Sequence, residues 1–116
     1  MKVIGFILIL MALAGCSREK ARYQKITAVQ AYNMMQELSD FILLDVRNHD
    51  EYMERHINGA VLIPVSELPA RAASELPDKN AVILIYCRSG RRSANAAKIS
   101  IDLGYLNVYD FGGIND

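Results

Sequence analysis

Cysteine and histidine are scarce in this chain, with two of each among 116 residues. No Cys-x-x-Cys pair and no His-x-x-x-His spacing occurs, so the ligand sets that hold zinc and its neighbours are missing. No metal and no cofactor is therefore expected. Net charge is absent too: thirteen basic and thirteen acidic residues cancel, which removes the electrostatic reason to expect nucleic acid or an anionic membrane as a partner. Nor is there an apolar run long enough to cross a bilayer. The most apolar stretch, Val3 to Ala14, has twelve residues, against the roughly 20 that a spanning helix needs. What remains has the size of one domain. About 95 residues bury roughly 60 to 70% of their unfolded surface, enough for a core that does not depend on disulfides.

The N-terminus carries targeting information instead of structure. Met1-Lys2 precedes the apolar stretch, and Leu13-Ala14-Gly15-Cys16 follows it. A basic start, a short apolar region and small residues before a break are the parts of a secretory signal peptide. Leu-Ala-Gly-Cys also resembles the lipobox of bacterial lipoproteins. That resemblance implies removal of residues 1–15, lipid on Cys16, and a chain held at a membrane of the bacterial cell envelope by its acyl groups. Ser17 after the cysteine is similar to lipoproteins sent to the outer membrane, facing the periplasm, in diderm cells. With Cys16 lipidated, Cys87 is the only free thiol left in a compartment that favours disulfides.

Residues 16–25 read as a polar tether and residues 26–116 as the folded domain. Thr27 and Gln30 form a capping-box pattern before Ala31, Met34, Met35 and Leu38 at helical spacing. Phe41 to Val46 is a continuous apolar run broken by Asp45, as suits a parallel strand buried on both faces. Asp45 and Arg47 lie at its carboxyl end, where an ion pair would tie down the loop. A short helix follows, capped by Asn48 or Asp50, with the acids Asp50, Glu51 and Glu54 early in it. His56, before Ile57-Asn58-Gly59-Ala60, is expected to hydrogen-bond a turn. Val61-Leu62-Ile63 reads as a brief strand, Ser66 as the cap of a helix carrying Leu68, Ala72 and Leu76, and Ala81 to Tyr86 as the central strand. Ser93 to Leu103 reads as a helix packed through Ala94, Ala97 and Ile101 and stopped by Gly104. Asn107-Val108-Tyr109 forms a last strand broken by Gly112-Gly113. Short apolar runs alternating with helices predict an α/β fold with four or five mainly parallel strands flanked by helices.

The chemistry is concentrated where the central strand ends. Cys87 closes the apolar run, and Arg88, Ser89, Gly90, Arg91, Arg92 and Ser93 lead into the next helix. A thiol ringed by backbone N–H groups, a helix N-terminus and three guanidinium groups is favoured as thiolate above an anion site. Such a nucleophile could attack phosphorus, arsenic or sulfur, each of which arrives in an oxyanion. No acid stands in the loop itself. A phosphate ester needs one for its alkoxide leaving group, whereas sulfite leaves thiosulfate without help.

Asp45-Val46-Arg47, Glu51-Tyr52, His56-Ile57-Asn58-Gly59-Ala60, Ile63-Pro64, Tyr86-Cys87-Arg88-Ser89-Gly90-Arg91-Arg92-Ser93, Gly104-Tyr105 and Gly112-Gly113 together resemble a single-domain rhodanese from about Ile26 to the C-terminus. The resemblance implies a thiosulfate:cyanide-type sulfurtransferase. Cys87 would carry the sulfane sulfur as a persulfide and release sulfite. The amides of Arg88 to Ser93 would cradle that persulfide. Arg88 and Arg92 would bind the small anionic donor, with Arg91 helping from the rim. Asp45, Arg47 and His56 match framework positions that shape the loop. The acceptor would be a thiol or a redox protein. Two other readings stand beside it: a non-catalytic rhodanese-fold binding module at the membrane, and a cysteine phosphatase or arsenate reductase. Phosphatases hold a longer loop between Cys and Arg, whereas four residues separate Cys87 from Arg92 here. Arg55 and Asn58 depart from the family's usual Gly and Pro. The family also usually continues past its Gly-Gly pair into a terminal helix, so a shortened C-terminus is expected.

Overall fold

The computed structural model describes residues 22–114. The signal segment, Cys16 and most of the tether lie outside the described residues, as do Asn115 and Asp116. In chain order the elements are β1 (Gln24–Lys25), α1 (Ala28–Glu37), β2 (Ile42–Asp45), α2 (His49–Glu54), β3 (Val61–Leu62), a 3-10 turn at Val65–Glu67, α3 (Leu68–Glu75), β4 (Val82–Cys87), α4 (Arg91–Asp102) and β5 (Asn107–Gly113). The five strands form one sheet in the order β1-β5-β4-β2-β3. Every neighbouring pair is parallel.

β4 lies at the centre because both of its faces are apolar. Alternation along a strand sends Ile83, Ile85 and Cys87 to one side and Leu84 and Tyr86 to the other. The first side packs against Leu68, Ala72, Leu76, Ala96 and Ala97, which are contributed by α3, its C-terminal turn and α4. The second packs with Leu43 of β2, Phe111 of β5 and Ala31, Met34 and Met35 of α1. The methionines of α1 therefore pack against the core. Thr27 and Gln30 form the expected capping box; of the two caps considered for α2, Asn48 is the one used, and it forms a second box with Glu51.

Four local expectations give way to tertiary structure. The polar tether ends earlier than its composition indicates, because Gln24 and Lys25 pair with Tyr109 and Asp110 of β5. Ser66 is not a helix cap. A 3-10 turn occupies Val65–Glu67, and α3 starts from Glu67 without any side-chain cap, with Pro69 in its first turn. The helix α4 starts at Arg91, ahead of Ser93; of the expected packing residues Ala97 is buried and Ile101 packs against the core, but the fully buried stripe is Ser93, Ala96, Ala97 and Ser100, with Ala94 only half-buried. Ser100 is tolerated there because its hydroxyl donates to the Ala96 carbonyl at 2.8 Å. Finally, Gly112-Gly113 does not end the last strand. β5 runs through both glycines, and the pairing of Ile85 with Asp110 and of Cys87 with Gly113 leaves one extra residue on β5, a bulge.

Gly104 ends α4 as expected. With φ of +99° it lies in the left-handed region, and the Tyr105 and Gly104 N–H groups donate back to Ser100 and Ile101, which closes a Schellman cap. Tyr105 is thereby aimed inward, where its hydroxyl donates to the Leu76 and Ala72 carbonyls at 2.6 and 3.1 Å. One tyrosine thus joins the ends of α3 and α4 under the sheet.

Candidate active site

All strands run the same way, so their carboxyl ends form one edge, where ligands collect in open α/β sheets. Cys87 is the last residue of β4. Its side chain points toward the N-terminus of α4, and its Sγ accepts hydrogen bonds from the Gly90 and Ser93 N–H groups at 3.0 and 3.3 Å. Gly90 adopts a left-handed conformation at the N-cap, with φ of +103°. That turn aims the amides inward and starts α4. Ser93 fastens it by donating from its hydroxyl to the Gly90 carbonyl at 3.1 Å. Two amide donors at a helix N-terminus form a cradle suited to a negatively charged sulfur. Cys87 itself has no solvent exposure. Beside the loop opens a cleft of about 130 Å³ lined by Arg47, Glu51, Glu54, Arg55, Arg88 and Ile114.

The three loop arginines have different roles. Arg88, 63% exposed, approaches Glu51 only to 3.9 Å. Arg91 opens α4 on its exposed side. Arg92 is committed: its Nη1 and Nη2 donate to Glu51 Oε1 and Oε2 at 2.8 and 3.0 Å. This bidentate pair holds the Glu51 carboxyl down at about 2, with Arg92 the main cause and the Asn48 N–H a second. Arg92, expected from the resemblance to bind the anionic donor, here has its fork filled by a carboxylate from α2. Glu51 is the site residue that sequence reasoning did not assign. The signal was present as two oppositely charged clusters, Asp50-Glu51-Glu54 and Arg88-Arg91-Arg92, but their separation in sequence hid the contact.

Asp45 and Arg47 lie under the same edge. The Asp45 carboxylate is fully buried and accepts from Arg47 Nη2 at 2.7 Å and from Arg47 Nε at 3.0 Å. Arg47 Nη2 also donates to the Arg55 carbonyl at 2.7 Å, pinning the end of α2. Tyr86 completes the network: its hydroxyl donates to Asp45 Oδ2 at 2.7 Å and accepts from the Ile57 N–H at 3.1 Å. Burial, helped by Asp45, pushes that hydroxyl above the usual tyrosine range, so it stays a donor. His56 stacks on Tyr52 with ring centroids 3.7 Å apart. Its Nδ1 lies 2.8 Å from the Tyr52 carbonyl, and because a carbonyl only accepts, Nδ1 carries the proton. These residues position α2, and with it Glu51, against the loop.

The glycine pair acts from below. Asp110 Oδ1 accepts the Gly112 N–H at 2.9 Å, and Gly112 has φ of +86°, which turns the bulge. Gly113 then lies against the first residues of the loop. A Cβ there would stand 2.6 Å from the Arg88 carbonyl carbon and 2.7 Å from Ser89 Cα. Only a glycine lets β5 support the loop this closely.

The model of the rhodanese-like domain family matches residues 27–116. The chain belongs to the rhodanese-like family. Among curated relatives it is 40% identical over 73 residues to the thiosulfate sulfurtransferase PspE of Escherichia coli (strain K12), covering 63% of this chain and 70% of that one. It is 31% identical over 91 residues to the thiosulfate sulfurtransferase GlpE of Coxiella burnetii (strain RSA 331 / Henzerling II), covering 78% and 82%. Among solved structures it resembles a rhodanese with anions from E. coli, at 36% identity and TM-score 0.60, covering 65% of this chain and 89% of that one. It also resembles the human single-domain sulfurtransferase TSTD1, at 25% identity and TM-score 0.68, covering 77% and 88%. This rhodanese-like chain is accordingly an enzyme of the sulfurtransferase class, built on the α/β fold expected from its sequence.

Proposed function

We propose that the protein moves a sulfane sulfur from thiosulfate, or a similar small anionic donor, to a thiol or redox-protein acceptor through a persulfide on Cys87. The observation that carries this reading is the cradle: one cysteine sulfur facing the Gly90 and Ser93 amides at a helix N-terminus, with Arg88 exposed beside it. In the first half-reaction a Cys87 thiolate attacks the outer sulfur of thiosulfate. The donor's S–S bond breaks, its electron pair leaves on sulfite, and the negative charge stays on the Cys87 persulfide under the two amides. In the second, an acceptor thiolate takes the outer sulfur and restores the Cys87 thiolate. Arg88 meets the incoming anion, Ser89 and Gly90 shape the loop, and Arg91 adds charge at the rim. Because Cys87 is buried at rest, donor binding must uncover it.

Phosphate-ester chemistry is disfavoured by the same geometry. Glu51, the carboxylate paired with the loop, is held ionised by Arg92 and has no proton for a leaving group. The names of the PspE and GlpE relatives support thiosulfate as the donor to try first. We assign the anchor to lipid on Cys16, which would place the domain at the cell envelope, at the outer membrane facing the periplasm in a diderm cell.

A binding module in which Cys87 is a bystander draws on one observation, the complete burial of that residue. Intact mass after incubation with thiosulfate separates the two readings. The sulfurtransferase gains the mass of one sulfur atom, and Cys87→Ser gains nothing. A folded wild-type protein without an adduct would sink the persulfide mechanism.

A further inference from the structure

Among the described residues, Glu51 is the sole carboxylate ion-paired with the Cys87 loop, and the reaction above gives it no step. Its position is fixed from two sides. Oε1 accepts the Asn48 N–H at 3.0 Å as part of the cap of α2, and both oxygens fill the fork of Arg92. The consequence is electrostatic. Arg88 and Arg92 approach the Glu51 carboxylate and Arg91 stands exposed at the start of α4; set against a Cys87 thiolate and that carboxylate, the three leave the loop one net positive charge. On the neighbouring cleft wall Glu54 and Arg55 cancel, and the Asp45–Arg47 pair is neutral. A donor bearing one negative charge brings such a site to neutrality. A donor bearing two overshoots it.

We infer that Glu51 is a specificity-determining residue: by neutralising Arg92 it matches the site to singly charged sulfane-sulfur donors, such as an organic thiosulfonate, and weakens the doubly charged thiosulfate. This rests on the sulfurtransfer reading and names the donor class of that same site. Both donors deliver the same atom. The thiolate attacks the terminal sulfur of the thiosulfonate, the S–S bond breaks with its electron pair on the departing sulfinate, and the Cys87 persulfide keeps one charge. The leaving groups differ, but that difference is the same in every variant, so the change in the ratio between donors on substitution reports charge.

The test compares KM and kcat for thiosulfate and for methanethiosulfonate in the wild type, Glu51→Gln and Arg92→Gln. Gln keeps the capping-box hydrogen bond of α2 while removing the charge. Glu51→Gln should lower KM for thiosulfate, relative to KM for the thiosulfonate, by roughly three- to tenfold, the scale of one added unit charge acting through a partly wet site. Arg92→Gln should move that ratio the opposite way, and the double variant should return it toward the wild-type value. Glu51→Asp, which keeps the charge while disturbing the geometry, should leave the ratio in place. Equal changes for both donors, or shifts of one sign in Glu51→Gln and Arg92→Gln, would overturn the proposal and make Glu51 a brace of the loop only. Failure of the wild type to take sulfur from either donor would instead remove the sulfurtransfer reading beneath it.

Discussion

Glu51 and Gly113 show how single residues control the loop from opposite sides. The Glu51 carboxyl is held at about 2, below its ordinary 4.5, so the folded state binds that proton more weakly than the unfolded chain. The stabilisation it gives is therefore complete above about pH 4.5 and is lost as pH falls toward 2. The difference in urea midpoint between the wild type and Glu51→Gln should be full at pH 6 and narrow steadily as pH falls from about 4.5 toward 2; a gap that stays constant over that range would show that the ionised pair contributes nothing. Gly113 acts through shape. A methyl group there meets backbone at Arg88 and Ser89, which no side-chain rotation relieves, so Gly113→Ala should cost about 1–3 kcal/mol and lower kcat as the amide cradle shifts. Chemical denaturation together with the sulfur-adduct rate checks both effects. Cys87 and its three arginines were legible in the sequence because they fall within one stretch of six residues. The partner of Arg92 was not, since Glu51 lies 41 positions earlier in the chain.

At the scale of elements, local signals succeeded where the chain satisfies itself. The capping box of α1, the Asn48 cap of α2 and the glycine stop of α4 depend on neighbours a few residues away, and each was expected. Thr27→Ala should cost about 1 kcal/mol, the usual worth of such a cap, readable as a lowered denaturation midpoint with sulfur transfer retained, because α1 lies far from the reacting sulfur in sequence and contributes no residue to the loop. Local signals failed where a partner strand decides. Gln24 and Lys25 are polar and exposed, with nothing in their composition to mark a strand, yet β5 offers them an open edge. Gly112 and Gly113 read as a break because glycine weakens strands in general. Here the bulge they permit brings β5 beneath the loop.

Across the whole molecule, the parallel sheet places Cys87, α2 and the cleft on one edge, with Tyr105 and the Asp45–Arg47–Tyr86 network bracing the two faces beneath it. Attachment belongs to this scale as well. If Cys16 carries the lipid, Cys16→Ala should move the protein from the membrane fraction to the soluble fraction without changing its sulfur-adduct rate; unchanged membrane association would exclude that anchor. The sequence by itself determined the α/β alternation, the central strand, the cysteine that closes it and the order of the loop, because apolar periodicity, caps and a contiguous motif are properties of neighbouring residues. Only the tertiary structure decided that β1 joins the sheet, that the glycine pair supports the loop, and that Glu51 occupies Arg92. Those are contacts between segments distant in sequence, and their energies arise only once the fold has brought the partners together.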